Sequence, residues 1–272
     1  MSKTVITPLG TVSPYPKGDK NCPGFLIQQD GYNILLDCGN GCTRLLGETE
    51  KLNNLKVFIS HLHPDHYGDL VSLLQTLHVY KKYGYIKQKA EIYLPETKSW
   101  QDEYYTASDG WYTSRKVEKH AMDYELIQKY SGREEVDLHG YSKNLKTNFG
   151  NVKITNLWVP HDIESYALKV ETPNGTIVYS GDTGTKNGLR TFAKDCDLFI
   201  CESTFLRGQY RDKDEHLFAH EAAEIAKDAN VKKLVLTHFW PEIEKENYLR
   251  DAQEIFANTE VAEEGKQLVL GR

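Results

Sequence analysis

The stretch SHLHPDHYGDL, residues 60–70, contains three histidines and two aspartates within nine consecutive positions. It directly follows an apolar run at 55–59, which is typical of a strand. Alternate residues of an extended segment point the same way, so His61 and His63 can chelate one metal ion. Imidazole and carboxylate groups together suit zinc, with manganese or iron as alternatives. The stretch therefore predicts a metal site at the end of a strand.

The chain provides further ligands for a second ion. Asp65 and His66 can face it where the chain turns into the next helix. His161, Asp182 and His238 each follow an apolar strand, and such strand ends converge on a shared crevice. A carboxylate such as Asp182 can bridge two cations about 3.5 to 4 Å apart. The sequence thus predicts two ions, seven ligands and an open position for water.

Length and composition restrict the class of protein. The 272 residues, 39% hydrophobic and 26% charged, can bury a substantial core and have the balance of a globular protein. The net charge of -6 argues against a globally basic nucleic-acid binder, although a local basic rim is compatible with it. The sequence contains neither a secretory leader pattern nor a run of about 18 apolar residues, which predicts a cytoplasmic protein without a membrane span. The five cysteines form no CxxC pair, so they indicate neither a disulfide framework nor a thiolate zinc site.

The order of apolar runs predicts the architecture. Strands followed by helices occur in both halves of the chain, which predicts an αββα sandwich of two mixed β-sheets with helices outside. Between about 96 and 142 the composition becomes aromatic and charged, with little apolar periodicity. We interpret the chain as one domain, 1–272, with an inserted cap or arm at 96–142. The aromatic side chains of this insertion could stack on a base or sugar, or pack as a lid or dimer interface.

Resemblance to the metallo-β-lactamase fold superfamily is carried by HLHPDH, the later His161, SGDTG and LTHF, in this order. Four further stretches are similar to its ribonuclease Z and phosphodiesterase branch: TPLGTVSP, YNILLDCGNGCTRLL, CESTF and HLFAHEAAEIAKDANVKKLVLTHF. The similarity covers essentially the whole chain outside the insertion. It implies a dinuclear zinc-dependent hydrolase, most directly a phosphodiesterase acting on a nucleotide or nucleic-acid phosphodiester.

The resemblance also implies roles for single residues. Two zinc ions, or manganese or iron in their place, would be bound by His61, His63 and His161 for one ion, Asp65, His66 and His238 for the other, and Asp182 for both. Asp65 would in addition accept the proton of the attacking water. His216 would contact the scissile phosphate or protonate the leaving oxygen. The branch usually has small hydroxyl residues after this histidine, whereas this chain has Leu217, Phe218 and Ala219, and His220, one turn along, is an alternative functional ring.

Alternative functions remain open at this point. The same metals polarise a carbonyl as readily as a phosphoryl group, so an ester, thioester or lactone hydrolase is one alternative, and a metal-bound regulatory protein without turnover is another. The segment 202–216 resembles the phosphodiesterase branch, and this resemblance favours phosphate. Glu202 is a candidate support for metal-bound histidines. The insertion lacks the glycine- and proline-rich composition of the arm that grips transfer RNA in the processing members. Relatives of this branch often form dimers, so a homodimer is also expected.

Overall fold

The computed structural model describes residues 2–47, 49–96, 104–106, 113–115 and 135–271. The strands are β1 (Thr4–Gly10), β2 (Gly24–Gln29), β3 (Tyr32–Leu36), β4 (Leu55–Phe58), β5 (Ala90–Pro95), β6 (Tyr104–Thr106), β7 (Thr113–Arg115), β8 (Val136–Tyr141), β9 (Lys146–Phe149), β10 (Val152–Val159), β11 (Ser165–Thr172), β12 (Gly175–Tyr179), β13 (Leu198–Glu202), β14 (Leu234–Thr237), β15 (Thr259–Val261) and β16 (Leu268–Leu270). The helices are α1 (Cys42–Leu46), α2 (Thr49–Leu52), α3 (Pro64–Tyr67), α4 (Leu70–Lys82), α5 (Leu189–Phe192), α6 (Ala219–Asp228) and α7 (Lys245–Gln253).

The strands form two seven-stranded sheets and one small hairpin, β6–β7. The first sheet has the order β16-β1-β2-β3-β4-β5-β8, and the second has the order β15-β14-β13-β12-β11-β10-β9. Strands β3, β4, β5 and β8 pair in parallel, as do β12, β13, β14 and β15. Strand β10 also runs in the direction of β12, because both are antiparallel to β11. In each sheet, the carboxyl ends of the strands that run in the same direction therefore lie at one edge.

Alternation along the strands divides the core into three layers. Leu35 and Val57 pack with the leucines of α4 on the outer face of the first sheet. Their neighbours Leu36 and Phe58 belong to a different cluster, which includes Tyr179 of the second sheet and fills the space between the sheets. A third cluster joins the second sheet to α6 and α7. The predicted αββα sandwich of mixed sheets is confirmed.

The turn between β2 and β3 follows from its residue types. Asp30 and Gly31 connect β2 to β3 with φ of 49° and 81°. Positive φ at both central residues is the signature of a type I′ turn, whose twist matches the flanking strands. This turn fixes the β2–β3 register, in which Gln29 pairs with Tyr32.

Part of the predicted insertion can be located. Strand β8, inside the range 96–142, pairs with β5 and forms the edge of the first sheet. Its sequence, VDLHGY, has no regular apolar alternation, which is why the sequence did not indicate a strand. Residues 97–103, 107–112 and 116–134 of this range lie outside the described residues. They include Trp100 and Trp111. None of the described helices is long and apolar enough to cross a membrane.

Candidate metal centre

Side chains from the carboxyl ends of five strands meet in one crevice between the two sheets. The strands and the residues that follow them are β3 with Asp37, β4 with His61, β10 with His161, β12 with Asp182, and β14 with His238. Asp37 and His238 have φ of 60° and 64°, in the left-handed region that Asp and His adopt more readily than branched residues. The remaining candidates, His63, Asp65 and His66, lie at the start of α3. The parallel strand order is what collects these side chains.

One group of donor atoms comes from His61, His63, His161 and Asp182. His63 Nδ1 lies 3.1 Å from His61 Nε2 and 3.1 Å from His161 Nε2. Asp182 Oδ2 lies 3.6 Å from His61 Nε2 and 4.0 Å from His161 Nε2. A tetrahedral ion with ligands at about 2.1 Å needs donor atoms about 3.4 Å apart. The four donor atoms fit such an ion.

A second group comes from Asp65, His66 and His238. Asp65 Oδ2 lies 3.6 Å from both His66 Nε2 and His238 Nε2, and these two nitrogens are 3.3 Å apart. Asp182 Oδ2 completes this group as well, at 3.3 Å from His66 Nε2 and 3.0 Å from His238 Nε2. The same carboxylate oxygen therefore lies within 4.0 Å of nitrogen atoms from both groups, as a bridging ligand would.

The electrostatics of the crevice also favour cations. Burial alone would lower the pKa of His66 and His238, but the neighbouring carboxylates raise both, that of His238 to about 10. Burial lowers the pKa of His61 well below its ordinary value, so this ring is neutral and keeps a lone pair for a ligand. Asp182 Oδ1 is buried and has no hydrogen-bond partner among the described residues. An orphaned acceptor of this kind in a crevice of negative potential fits a divalent cation.

Asp65 combines a place in the second group with a fixed orientation. Ser13 Oγ donates a hydrogen bond to Asp65 Oδ2 at 2.8 Å. Burial alone would raise the pKa of Asp65, but the rings of His66 and His238 lower it to about 2. Gly39 lets the neighbouring loop approach, since a Cβ there would lie 2.0 Å from the Asp65 carbonyl oxygen. The carboxylate is thus ionised and held in place at neutral pH.

Asp37 orients His66 of the second group, a role that the sequence analysis did not assign to it. Its Oδ2 accepts a hydrogen bond from His66 Nδ1 at 2.7 Å, which directs His66 Nε2 into the crevice. Ser60 donates to both carboxylate oxygens, through its backbone N–H at 2.6 Å and its hydroxyl at 2.8 Å. Tyr179 Oη donates at 2.7 Å from the second sheet. The position of Asp37 directly after an apolar strand was the available signal.

Replacing Asp37 with alanine is expected to weaken both metal binding and the fold. The affinity for an ion bound by the second group, Asp65, His66 and His238, should fall by about 10- to 100-fold, because His66 loses the acceptor that orients it. The free energy of unfolding should fall by roughly 3–5 kcal/mol, because buried donors lose their partner. Metal titration and thermal denaturation measure the two effects. Asp228→Ala, which removes an exposed carboxylate paired with Arg190, is the control. Unchanged affinity would contradict the role assigned to Asp37.

His216 lies beside the second group and is anchored by Glu202. Its Nδ1 is 3.0 Å from Glu202 Oε1 and 3.9 Å from Asp182 Oδ2. Burial alone would lower the pKa of His216, but the carboxylate of Glu202 raises it above its ordinary value. Because Nδ1 is engaged by Glu202, Nε2 is the nitrogen available to a substrate.

Glu202 also connects to the metal-binding residues. Its Oε2 accepts a hydrogen bond from Thr204 Oγ1 at 2.9 Å, and this hydroxyl accepts one from His238 Nδ1 at 2.8 Å. The carboxylate is fully buried and also accepts the backbone N–H of Thr183 at 3.0 Å. Glu202 therefore orients His216 directly and His238 through Thr204.

His220, the alternative functional ring, lies elsewhere. It belongs to α6, and its Nδ1 is 3.4 Å from Asp251 Oδ2 in α7. His216 precedes α6 and enters the crevice, where it shares a donor group with Asp182 and His238. The structure thus brings His216, and not His220, to the candidate metal centre.

Comparison with known proteins identifies the family. A family model described as "Beta-lactamase superfamily domain" matches residues 32–239. The chain is 28% identical over 254 residues to the probable metallo-hydrolase YhfI of Bacillus subtilis, covering 92% of this chain and 93% of that protein. It is 29% identical over 280 residues to a ribonuclease Z of Thermococcus sibiricus, covering 91% of this chain and 90% of that protein.

The fold is shared with a solved structure. The crystal structure of the metallo-β-lactamase fold protein YhfI from Bacillus subtilis matches with a TM-score of 0.81 and 23% sequence identity. The match covers 98% of this chain and 100% of that chain. Together with the family match over more than half of its residues, this shows that the chain belongs to the β-lactamase superfamily and has the metallo-β-lactamase fold.

Proposed function

We propose that this protein is a dinuclear zinc-dependent phosphodiesterase that acts on a nucleotide or nucleic-acid phosphodiester. The observation that carries the proposal is the shared Asp182 Oδ2, which lies within 4.0 Å of donor atoms from both groups. The ions would be held by His61, His63 and His161 on one side, by Asp65, His66 and His238 on the other, and by Asp182 between them. Manganese or iron could take the place of zinc.

Two side chains would transfer protons, and a third would stabilise one of them. Two cations bound here would lower the pKa of a water molecule and neutralise the charge that develops on a phosphate. The carboxylate of Asp65, oriented by Ser13, would accept the proton of the attacking water. His216 Nε2 would donate a proton to the leaving oxygen, and Glu202 would stabilise the charged ring through Nδ1.

The Glu202–His216 pair favours a phosphodiester over a thioester, whose thiolate leaves without a proton. The alkoxide expelled from a nucleotide phosphodiester is a poor leaving group, so a proton donor at its oxygen has a large effect on its rate of departure. The raised pKa of His216 keeps more of this ring protonated near neutral pH. The relative from Thermococcus sibiricus is named a ribonuclease, and ribonucleases cleave phosphodiesters.

The surroundings of His216 favour a small substrate. A cavity of about 280 Å³ beside it is lined by Phe205, Asp212, Lys213, Glu215 and His216. Two carboxylates and one ammonium make this wall unfavourable for a long polyanion. The wall therefore favours a nucleotide over a long RNA. A carbon ester, thioester or lactone, which is no long polyanion, is the alternative substrate at this wall.

Metal content and a substrate panel test the proposal together. The protein loaded with zinc or manganese is expected to hold about two ions per chain and to hydrolyse bis(p-nitrophenyl) phosphate or cyclic nucleotides. Asp65→Ala serves as the control for contaminating hydrolases, because the variant should lose turnover. Hydrolysis of lactones or thioesters without any phosphodiester hydrolysis would contradict the proposed substrate class. A content of one ion or none would contradict the dinuclear centre.

A further inference from the structure

We infer that Asp162 is a positioning residue of the candidate metal centre, where it sets the orientation of His63. Its Oδ1 lies 3.3 Å from His63 Nε2, where it would accept the hydrogen bond that holds His63 Nδ1 toward the donor atoms of His61 and His161. The inference rests on the metal centre of the proposed function. It concerns a residue that no sequence motif indicated.

His63 directs Nδ1 toward the other donor atoms, whereas His61 and His161 direct Nε2. Its Nδ1 is the atom that lies 3.1 Å from both His61 Nε2 and His161 Nε2. A nitrogen that is to bind an ion there must carry its lone pair, and a neutral imidazole has a single N–H. The proton of His63 therefore belongs on Nε2. Asp162 Oδ1 lies 3.3 Å from this atom.

The other four candidate histidine ligands show the opposite arrangement. Each directs Nε2 into the crevice and has its Nδ1 within hydrogen-bond distance of a protein oxygen. The pairs are His61 with Ser60 Oγ at 3.0 Å, His66 with Asp37 Oδ2 at 2.7 Å, His161 with the Glu215 carbonyl at 2.9 Å, and His238 with Thr204 Oγ1 at 2.8 Å. A metal-bound histidine needs such a partner to fix its tautomer and ring orientation. Asp162 gives His63 the partner that completes this pattern.

The position of Asp162 is also compatible with a second role, that of a direct metal ligand. Its Oδ1 lies 3.2 Å from His161 Nε2, and the side chain is 41% exposed. The two roles differ in what they need from the side chain. A positioning role needs an oxygen acceptor, which an amide also has, whereas a zinc ligand at this place needs the negative charge of a carboxylate. The asparagine variant therefore separates positioning from direct coordination.

The experiment compares Asp162→Ala, Asp162→Asn and the wild-type chain by zinc titration against a chromophoric chelator. Asp162→Ala is expected to lower the affinity for one of the two ions by about 10- to 100-fold and to leave the other unchanged. Asp162→Asn should stay within about threefold of the wild type, because the amide oxygen still accepts the hydrogen bond. Asp228→Ala, with its exposed carboxylate, is the matched control.

A second measurement reports the tautomer itself. In ¹⁵N-histidine-labelled zinc-loaded protein, long-range ¹H–¹⁵N spectra should show His63 protonated at Nε2 in the wild type and in Asp162→Asn. Equal loss of affinity in the alanine and asparagine variants would overturn the inference in favour of direct coordination. Wild-type affinity in Asp162→Ala would overturn it as well, while the metal centre would stand. A wild-type chain that binds no ion would overturn the metal centre and this inference together.

Discussion

Asp182→Ala is expected to remove both metal ions from the protein. Asp182 Oδ2 lies within 4.0 Å of donor nitrogens on both sides of the crevice, so one truncation would open both of the proposed coordination shells. It also removes the carboxylate that opposes the repulsion between two neighbouring cations. Since bound cations contribute several kcal/mol of transition-state stabilisation, turnover should fall by roughly 10³-fold or more.

Metal content after desalting, measured by plasma emission spectrometry, checks this expectation. Asp182→Asn keeps the shape of the side chain but loses its charge, and it should retain less metal than the wild type. Asp228→Ala should retain the full content, because its carboxylate pairs with Arg190 at the surface. Two ions per chain in Asp182→Ala would show that the bridging role is wrong.

His216→Ala is expected to lower kcat by about 10²- to 10⁴-fold while the metal content stays at the wild-type level. The ring is held by Glu202 and would supply the proton that the leaving oxygen needs. The loss should be large for a substrate that releases an ordinary alcohol. It should be much smaller for bis(p-nitrophenyl) phosphate, because p-nitrophenolate leaves readily without a proton.

The matched control for this variant is His220→Ala. His220 lies one turn further along, in α6, and contacts Asp251 of α7, so its removal should leave kcat unchanged. Loss of metal without a dependence on the leaving group would demote His216 to a structural role. An equal loss of kcat in both variants would contradict the assignment of the proton donor.

Local patterns in the sequence were sufficient to predict the fold and to nominate the candidate metal ligands. Apolar runs that end in a polar residue mark buried strands, and the turn at Asp30 and Gly31 follows from residue chemistry alone. His61 and His63 are two positions apart, so their common direction depends only on the extended backbone between them. Strand β8 was missed because VDLHGY has no regular alternation, and it becomes a strand by pairing with β5.

The sequence by itself therefore determined which residues are candidate metal ligands and that they lie at strand ends or at the start of the helix that follows β4. Only the tertiary structure decided which partner orients each of them. Asp37 reaches His66 from 29 positions away, and Thr204 reaches His238 from 34 positions away. Asp162 reaches His63 across the crevice between the two sheets. The first two pairs depend on the pairing of neighbouring strands within one sheet, and the third depends on the packing of one sheet against the other. No local spacing records these pairs, because a single carboxylate or hydroxyl has no period along the chain.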